Sequence, residues 1–324
     1  MLTGDGTTMR FSAGIDLGGT FTKLALVDVE GNVLDRERTL SRTGSEARGL
    51  LTHARETLEE MCARTGLPYP PPEGCGIGMP GAVDFETGTV KLSKAFGWKE
   101  LPLKAIAEEV LGCAVAVDTD VNAGLLADLH FGAAKTASEM LYVSWGTGIG
   151  AGLTVGRKIY HSRNGAMGNP GHTVAVPGSQ RRCFCGLRGC LEVEIGARAL
   201  VEKAQEQMNR GRSSSLARES VLSAEKISDA ARAGDAVALE VLSEAVTLLA
   251  RALAPLLAML NPDTVIFAGG VSNCLPVVRD VFDEELKRSA PGFAFTGLTI
   301  CASAFGEAAG VLGAAKLATV GRDA

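Results

Sequence analysis

The pattern that most constrains the fold is an opening that occurs twice, about half a chain apart. Residues 11–16 are apolar and strand-like, the turn Leu17-Gly18-Gly19-Thr20 follows, and residues 22–29 read as a second strand running into Gly31-Asn32. Residues 140–144 repeat the pattern, with Gly146-Thr147-Gly148-Ile149-Gly150-Ala151-Gly152 next and a strand resuming at Leu153-Thr154-Val155. Glycines that only punctuate hairpins account for either turn alone and less easily for both. Two such units predict two similar domains, each offering a hairpin to the space between them. A chain of 324 residues suits that division.

Helix and strand alternate between and after these openings. Ala47, Leu50, Leu51, Ala54, Leu58, Met61 and Cys62 keep helical spacing, and Gly66 with Pro68 ends that helix. A strand over 74–79 closes at Pro80-Gly81, a helix covers 103–111 and a strand 114–118. Later helices fall near 194–208 and over 236–260, the latter stopped by Asn261-Pro262. A buried strand at 264–268 leads to Gly269-Gly270. A helix over 277–288, a strand over 298–302 and an apolar helix over 307–318 close the chain, and 210–215 reads as a mobile loop. This interleaving predicts an α/β fold with mixed sheets.

Composition narrows the class. Hydrophobic residues make up 46% of the chain and mean hydropathy is +0.16, so apolar area is ample for burial. The longest apolar stretch, 241–260, contains Glu244, Arg251 and Pro255 and reads as a buried helix rather than a membrane span. Residues 1–5 lack a basic region and an apolar core and read as a short disordered lead. With eight cysteines and no secretory segment, the expected location is the reducing cytoplasm. A net charge of -5 argues against a nucleic-acid surface, and Arg181-Arg182 reads as a local, solvated basic pair.

Cys183-x-Cys185-Gly186-x-x-Gly189-Cys190, with His172 eleven residues upstream, supplies three thiolates and one imidazole. That is a complete tetrahedral shell for Zn²⁺, and a filled shell leaves no position for a catalytic water, so the site is expected to be structural. A zinc hydrolase is disfavoured for the same reason. Buried thiols or a disulfide fit the tight spacing less well. The loop lies between Gly168-Asn169-Pro170-Gly171-His172 and Leu191-Glu192, so a metal would fix two polar segments against each other.

The glycine turns carry the other chemistry. Asp16-Leu17-Gly18-Gly19-Thr20 joins two strands, which excludes a P-loop or a dinucleotide fingerprint, since both need a helix after the glycines. Backbone N–H groups of Gly18 and Gly19 can still approach anionic oxygens, with Thr20 adding a hydroxyl and Asp16 able to hold Mg²⁺ through water. Gly146, Thr147 and Gly148 offer a similar cradle, and Gly269-Gly270 would let an adenosine lie against backbone.

These motifs together resemble the ROK family (repressors, open reading frames and sugar kinases) within the actin, hexokinase and Hsp70 superfamily. The resemblance runs from Gly14 to about Leu317. It rests on Asp16-x-Gly18-Gly19-Thr20, Gly78-x-Pro80-Gly81, Asp120-Val121-Asn122, Gly146-Thr147-Gly148-x-Gly150, Gly168-x-x-Gly171-His172, the cysteine loop and Gly269-Gly270-Val271-Ser272. It implies two ribonuclease-H-like, actin-like ATPase domains with mixed sheets flanking a central cleft. The expected division is 1–121, completed by a C-terminal helix at about 303–324, and a larger domain over 122–302 with the zinc loop. It further implies a kinase using ATP and Mg²⁺ to phosphorylate a sugar hydroxyl, with a homodimer or homotetramer as the assembly.

Phosphoryl transfer needs positioning, charge neutralisation and one acceptor for the hydroxyl proton. By resemblance that acceptor is Asp120; its structural alternative is an N-cap for a helix starting near Asn122, and Asp118 is a carboxylate easily confused with it. The resemblance also implies that Gly81, Asp120, His172 and Glu192 contact the sugar. Positions 119 and 169, where relatives carry Asn and Glu, hold Thr119 and Asn169, and Lys94 stands where relatives often carry Asn. Replacing a carboxylate by a carboxamide exchanges a charged acceptor for a partial donor, so a sugar other than glucose is expected. The expected acceptor is a hexose or N-acetylhexosamine. The competing expectation is a non-catalytic sugar-binding or sensing protein. Repressors of the family carry a helix-turn-helix before the first glycine turn, and with about a dozen residues ahead of Gly14 no DNA-binding part is expected.

Overall fold

The computed structural model describes residues 9–41, 46–162, 164, 165 and 167–320. The lead segment 1–5 lies outside them. The chain divides into two compact units, one of Met1–Thr136, Ile159–Met167 and Glu307–Ala324, the other of Ala137–Lys158 and Gly168–Gly306.

The first unit begins with the antiparallel strands β1 (Phe11–Leu17), β2 (Phe21–Asp28) and β3 (Val33–Leu40). Helix α1 (Ala47–Thr65) follows and buries the predicted apolar face. Gly66 ends it in the left-handed region at φ 70°, with Leu67 N–H returning to Cys62 O at 2.9 Å. Strand β4 (Cys75–Met79) leads into a small separate sheet of β5 (Ala82–Asp84), β6 (Thr89–Ser93) and β7 (Trp98–Leu101). Then come α2 (Leu103–Leu111), β8 (Val115–Thr119) and α3 (Asp120–His130). The main sheet has the order β3-β2-β1-β4-β8, with β4 and β8 parallel to β1. Every residue of β4 is buried, as a central parallel strand requires.

The C-terminal helix (Ala309–Leu317) explains several glycines inside this sheet. A Cβ on Gly14 would stand 2.0 Å from Val311 O, and one on Gly76 would stand 1.8 Å from Ala314 O, so helix backbone lies directly on β1 and β4. A Cβ on Gly313 would stand 1.5 Å from Ala123 O, which brings the same helix onto α3. This packing keeps α3 in the first unit, whose first segment runs to Thr136 instead of ending at residue 121.

The second unit repeats the topology. Strands β9 (Met140–Trp145), β10 (Ile149–Val155) and β11 (Lys158–Ile159) are followed by α4 (Leu191–Ile195), α5 (Ala197–Asn209), α6 (Ala224–Arg232), α7 (Ala236–Leu260), β12 (Thr264–Ala268), α8 (Arg279–Ser289) and β13 (Thr299–Ala302). The order is β11-β10-β9-β12-β13, with β9 parallel to β12 and β12 to β13. Both main sheets therefore use the first, second and third strands as a meander and add two parallel strands beside the first, as in a ribonuclease-H-like domain.

Helix α7 is long and apolar enough to cross a membrane, yet Val241, Leu242, Val246, Leu249, Leu253 and Leu257 lie in the second unit's core. Asp235 caps its start by accepting from Val237 and Ala238 N–H, and Asn261 ends it at φ 43°. The expected helix near 194–208 is two helices divided at Gly196, where a Cβ would stand 2.7 Å from both Glu192 O and Thr147 O. Strand β10 resumes at Ile149, so the second glycine turn is shorter than its sequence suggests.

Candidate active site

In the first unit, Asp16 stands one residue before the end of β1, and the turn to β2 is tight: Gly18 N–H donates to Phe21 O at 3.1 Å. A Cβ on Gly18 would meet Phe21 O at 2.6 Å, while Gly19 and Thr20 are exposed and Thr20 O accepts from Ser41 N–H at 2.9 Å. The Asp16 carboxylate packs on Gly310, whose added Cβ would come within 2.7 Å of Oδ2. Burial, then the charge of Asp120, push the Asp16 carboxyl up to about 6, with Lys23 pulling the other way.

Asp120 is the first residue of α3 rather than its cap. Thr119 takes the capping role: its Oγ1 accepts from Asn122 N–H at 3.1 Å. Asp120 Oδ1 accepts from Val121 N–H at 2.9 Å. Burial raises its carboxyl above the ordinary range against the opposing pull of Val121 and its own N–H, and Asp118 adds repulsion. A buried carboxylate such as Asp16, whose proton affinity is raised by burial and by the charge of Asp120, suits a hard divalent cation such as Mg²⁺.

The neighbouring Asp118 has a different environment. Its side chain is 1% exposed and fully engaged: Oδ1 accepts from Thr119 N–H at 2.7 Å and Asn122 Nδ2 at 2.8 Å, and Oδ2 lies 2.7 Å from His161 Nε2. In the sequence Asp118 stands out only as a carboxylate easily confused with Asp120, and His161 belongs to none of the motifs. One of four histidines in the chain, two residues past β11, was the available signal.

Gly81 sits at φ 139° between β4 and β5, and a Cβ there would stand 2.4 Å from Leu92 O. Only glycine fits, which leaves its backbone uncovered. Lys94, in the connection from β6 to β7, is exposed.

In the second unit, the turn at Gly146, Thr147 and Gly148 is seated on the α4–α5 junction. Ala197 N–H donates to Gly146 O at 3.0 Å, and Ile149 N–H donates to Glu192 Oε2 at 3.2 Å. A Cβ on Gly148 would come within 2.5 Å of that same Oε2. Glu192 thus contacts the glycine hairpin, an arrangement with no sequence signal. Gly269, at φ 87°, lies against Trp145 O at the end of β9, and Gly270 opens a 3-10 turn, Gly270–Val277.

Asn169 precedes the 3-10 turn Pro170–His172, and His172 N–H donates to Asn169 O at 3.1 Å. The donor atoms of His172, Cys183 and Cys185 lie within 4.8 Å of one another. Cys183 Sγ is 3.4 Å from His172 Nδ1, and Cys190 Sγ is 3.6 Å from Cys185 Sγ. All the cysteines are unbridged. Zinc–sulfur bonds of about 2.3 Å at tetrahedral angles place sulfurs about 3.8 Å apart, a spacing that the His172, Cys183 and Cys185 donors suit, whereas the expected fourth ligand, Cys190, is close to Cys185 but outside the group whose donors all lie within 4.8 Å of one another. Cys190 immediately precedes α4, whose second residue is Glu192, so a metal here would anchor the segment that holds the hairpin.

Comparison with known proteins adds a family. The ROK family profile matches residues 12–320. A glucokinase of Thermotoga maritima is 33% identical over 312 residues, covering 94% of this chain and 96% of the relative. A putative xylose repressor of Caldicellulosiruptor is 32% identical over 282 residues, covering 85% of this chain and 68% of the relative. The structure of a ROK family glucokinase from Streptomyces griseus with glucose and AMPPNP superposes with a TM-score of 0.79 at 29% identity, covering 96% of this chain and all (100%) of that one.

Proposed function

The chain belongs to the ROK family, and on that premise we propose that it is an ATP-dependent sugar kinase, transferring the γ-phosphoryl group to a hydroxyl of a hexose or N-acetylhexosamine. The observation that carries this reading is the contrast between Asp118 and Asp120. Asp118 is consumed by hydrogen bonds from two other elements of the chain, whereas Asp120 is half-buried, holds a raised carboxyl and takes its donors from the local backbone, Val121 N–H and its own N–H. A carboxylate so placed can take the proton of an attacking hydroxyl.

In this mechanism Gly18 and Gly146 shape the two turns, their N–H groups being bonded to Phe21 O and Gly148 O, and phosphate oxygens are bound by the N–H groups of Gly19, Thr20, Thr147 and Gly148 and by the threonine hydroxyls. Gly269 and Gly270 give the nucleoside a surface without side chains. Mg²⁺, when bound, supplies neutralisation of phosphate charge, and Asp16 would hold it. Asp120 orients the sugar hydroxyl and accepts its proton, while Gly81 backbone, Thr119, Asn169, His172 and Glu192 hold the remaining hydroxyls. Zn²⁺ in the His172, Cys183, Cys185 and Cys190 shell is structural in this reading. The expected setting is cytoplasmic, as a homodimer or homotetramer.

A second reading, a sugar-responsive protein without turnover, draws support from Thr119 and Asn169 and from the repressor relative. ADP release against a panel of hexoses and N-acetylhexosamines separates the two. The kinase reading expects at least one sugar to be turned over, with glucose ranking below another, because a neutral Asn169 weakens a bidentate carboxylate-like grip by about 1–3 kcal/mol. Sugar binding by calorimetry without ADP release from any sugar would favour the second reading. A wide preference for glucose would keep the kinase and overturn the role given to Thr119 and Asn169.

A further inference from the structure

We infer that His161, acting through Asp118, is a positioning residue that fixes the turn presenting Asp120. A carboxylate as buried as Asp118 is costly unless every oxygen is partnered. Its Oδ1 takes donors from Thr119, the N-cap, and Asn122, the third residue of α3. Asp120 lies between them. The Asp118 side chain therefore spans the turn and limits how far its backbone can rotate.

The remaining oxygen, Oδ2, is held by His161 Nε2 at 2.7 Å. The ring can donate to Oδ2 in the tautomer that carries its proton on Nε2. His161 comes from neither β8 nor α3. It belongs to residues 159–167, which rejoin the first unit after β11. Two further contacts seat that segment. The imidazole stacks on Phe85 with centroids 4.1 Å apart and planes 9° apart, and Gly165 approaches β5 so closely that a Cβ would stand 2.2 Å from Val83 O. One ring thus ties the end of β5 and the 159–167 segment to the β8–α3 junction. The same segment leads in sequence into Gly168 and Asn169. Burial of Asp118 sets the demand for a donor, and His161 supplies it from a distant part of the chain.

The kinetic consequence rests on the kinase reading; the restraint on the turn does not. Hydrogen exchange of the full chain tests the restraint. His161→Phe keeps a ring to stack on Phe85 and removes the donor, whereas His161→Gln places an amide nitrogen near the position of Nε2. Amides of residues 119–122 should exchange at least about tenfold faster in His161→Phe and near the wild-type rate in His161→Gln, since freeing a restrained turn lowers local protection. Asp118→Asn, close in shape but with one acceptor oxygen, should open the same amides, which covers the case of a poorly folding His161→Phe. With the best sugar of the panel, kcat should fall about tenfold or more in His161→Phe with KM for ATP unchanged, and recover in His161→Gln. Unchanged exchange in both His161→Phe and Asp118→Asn overturns the inference. So does equal loosening in His161→Phe and His161→Gln, which would make packing the cause. Should no sugar be turned over, the kinase reading fails while exchange still decides the role of His161.

Discussion

Asp16 and Asp235 belong to the two different units, and folding moves their carboxyls in opposite directions. Asp16 is pushed up to about 6, first by burial and then by Asp120. Asp235 is also opposed by burial, but N–H groups of Ala238 and Ser215 and the hydroxyls of Ser215 and Ser214 outweigh it and bring the carboxyl down to about 2. The sheets around them share a strand order, so the difference lies in what was added to a common scaffold. The first unit keeps carboxyls of raised proton affinity at the end of β1 and the start of α3. In the second unit, carboxylates do supporting work: Asp235 caps α7, and Glu192 accepts from the glycine hairpin. Groups held away from their ordinary proton affinity by burial and a like charge mark the place where a cation or a reacting proton is expected.

The largest effect expected of breaking this contrast is on rate. Asp120→Asn should lower kcat by about 10² to 10⁴, the usual cost of losing a general base. It should not lower the melting temperature, because it also removes a like charge from the vicinity of Asp16. Measuring kcat and thermal melting on the same preparation checks both halves. Near-normal kcat would place proton acceptance on another group.

A smaller effect, confined to the other side of the comparison, is expected of the metal shell. Purified protein should hold one zinc per chain by elemental analysis. Chelation or Cys185→Ser should reduce stability and sugar affinity, since binding at such a site is coupled to local folding. Exchange should quicken over 172–192 and stay unchanged over 11–28, because the donors lie wholly within the second unit. Zinc-free protein that is fully active would defeat this expectation.

Much of the scaffold was legible because it depends on local rules. The 3.6-residue spacing through Leu50, Leu51, Leu58 and Met61 and the Gly66 stop yield α1 as found, and the apolar run closed by Asn261-Pro262 yields α7 over 236–260. The doubled glycine opening was legible for the same reason, since a hairpin is a local object. What escaped depends on contacts between residues far apart in sequence. Strand β3 alternates partly exposed residues and lacks a strong apolar signal, and the small β5–β7 sheet has strands of three to five residues. Gly14, Gly76 and Gly313 look like weak points in strands and helix until the close passage of the C-terminal helix is known. At the candidate site, contacts across the chain were not legible: the sequence cannot tell that Asp118 is engaged by His161, that Thr119 caps α3, or that Glu192 reaches the hairpin.

The smallest effects test the opening contrast directly through the sign of pH-dependent stability. For Asp16 the folded carboxyl, at about 6, lies above its ordinary 3.8, so the fold binds more protons than the unfolded chain between those values. The stability this confers is complete below the lower value and lost as pH rises through the upper one. Near neutral pH the ionised group therefore works against folding, and Asp16→Asn should raise stability of metal-free protein by about 1–3 kcal/mol while weakening Mg²⁺-dependent nucleotide binding. For Asp235 the folded carboxyl, at about 2, lies below 3.8, so its contribution is present above the ordinary value and lost as pH falls through the lower one. Asp235→Ala should then cost about 1–2 kcal/mol near neutrality, the usual worth of a helix cap, and progressively less in acid. Thermal melts of both variants and wild type, near pH 7 and near pH 4, should give shifts of opposite sign at the higher pH. A loss of stability in Asp16→Asn near neutrality would mean that its ionised carboxylate is favoured by the fold, and the contrast between the two units would fall with it.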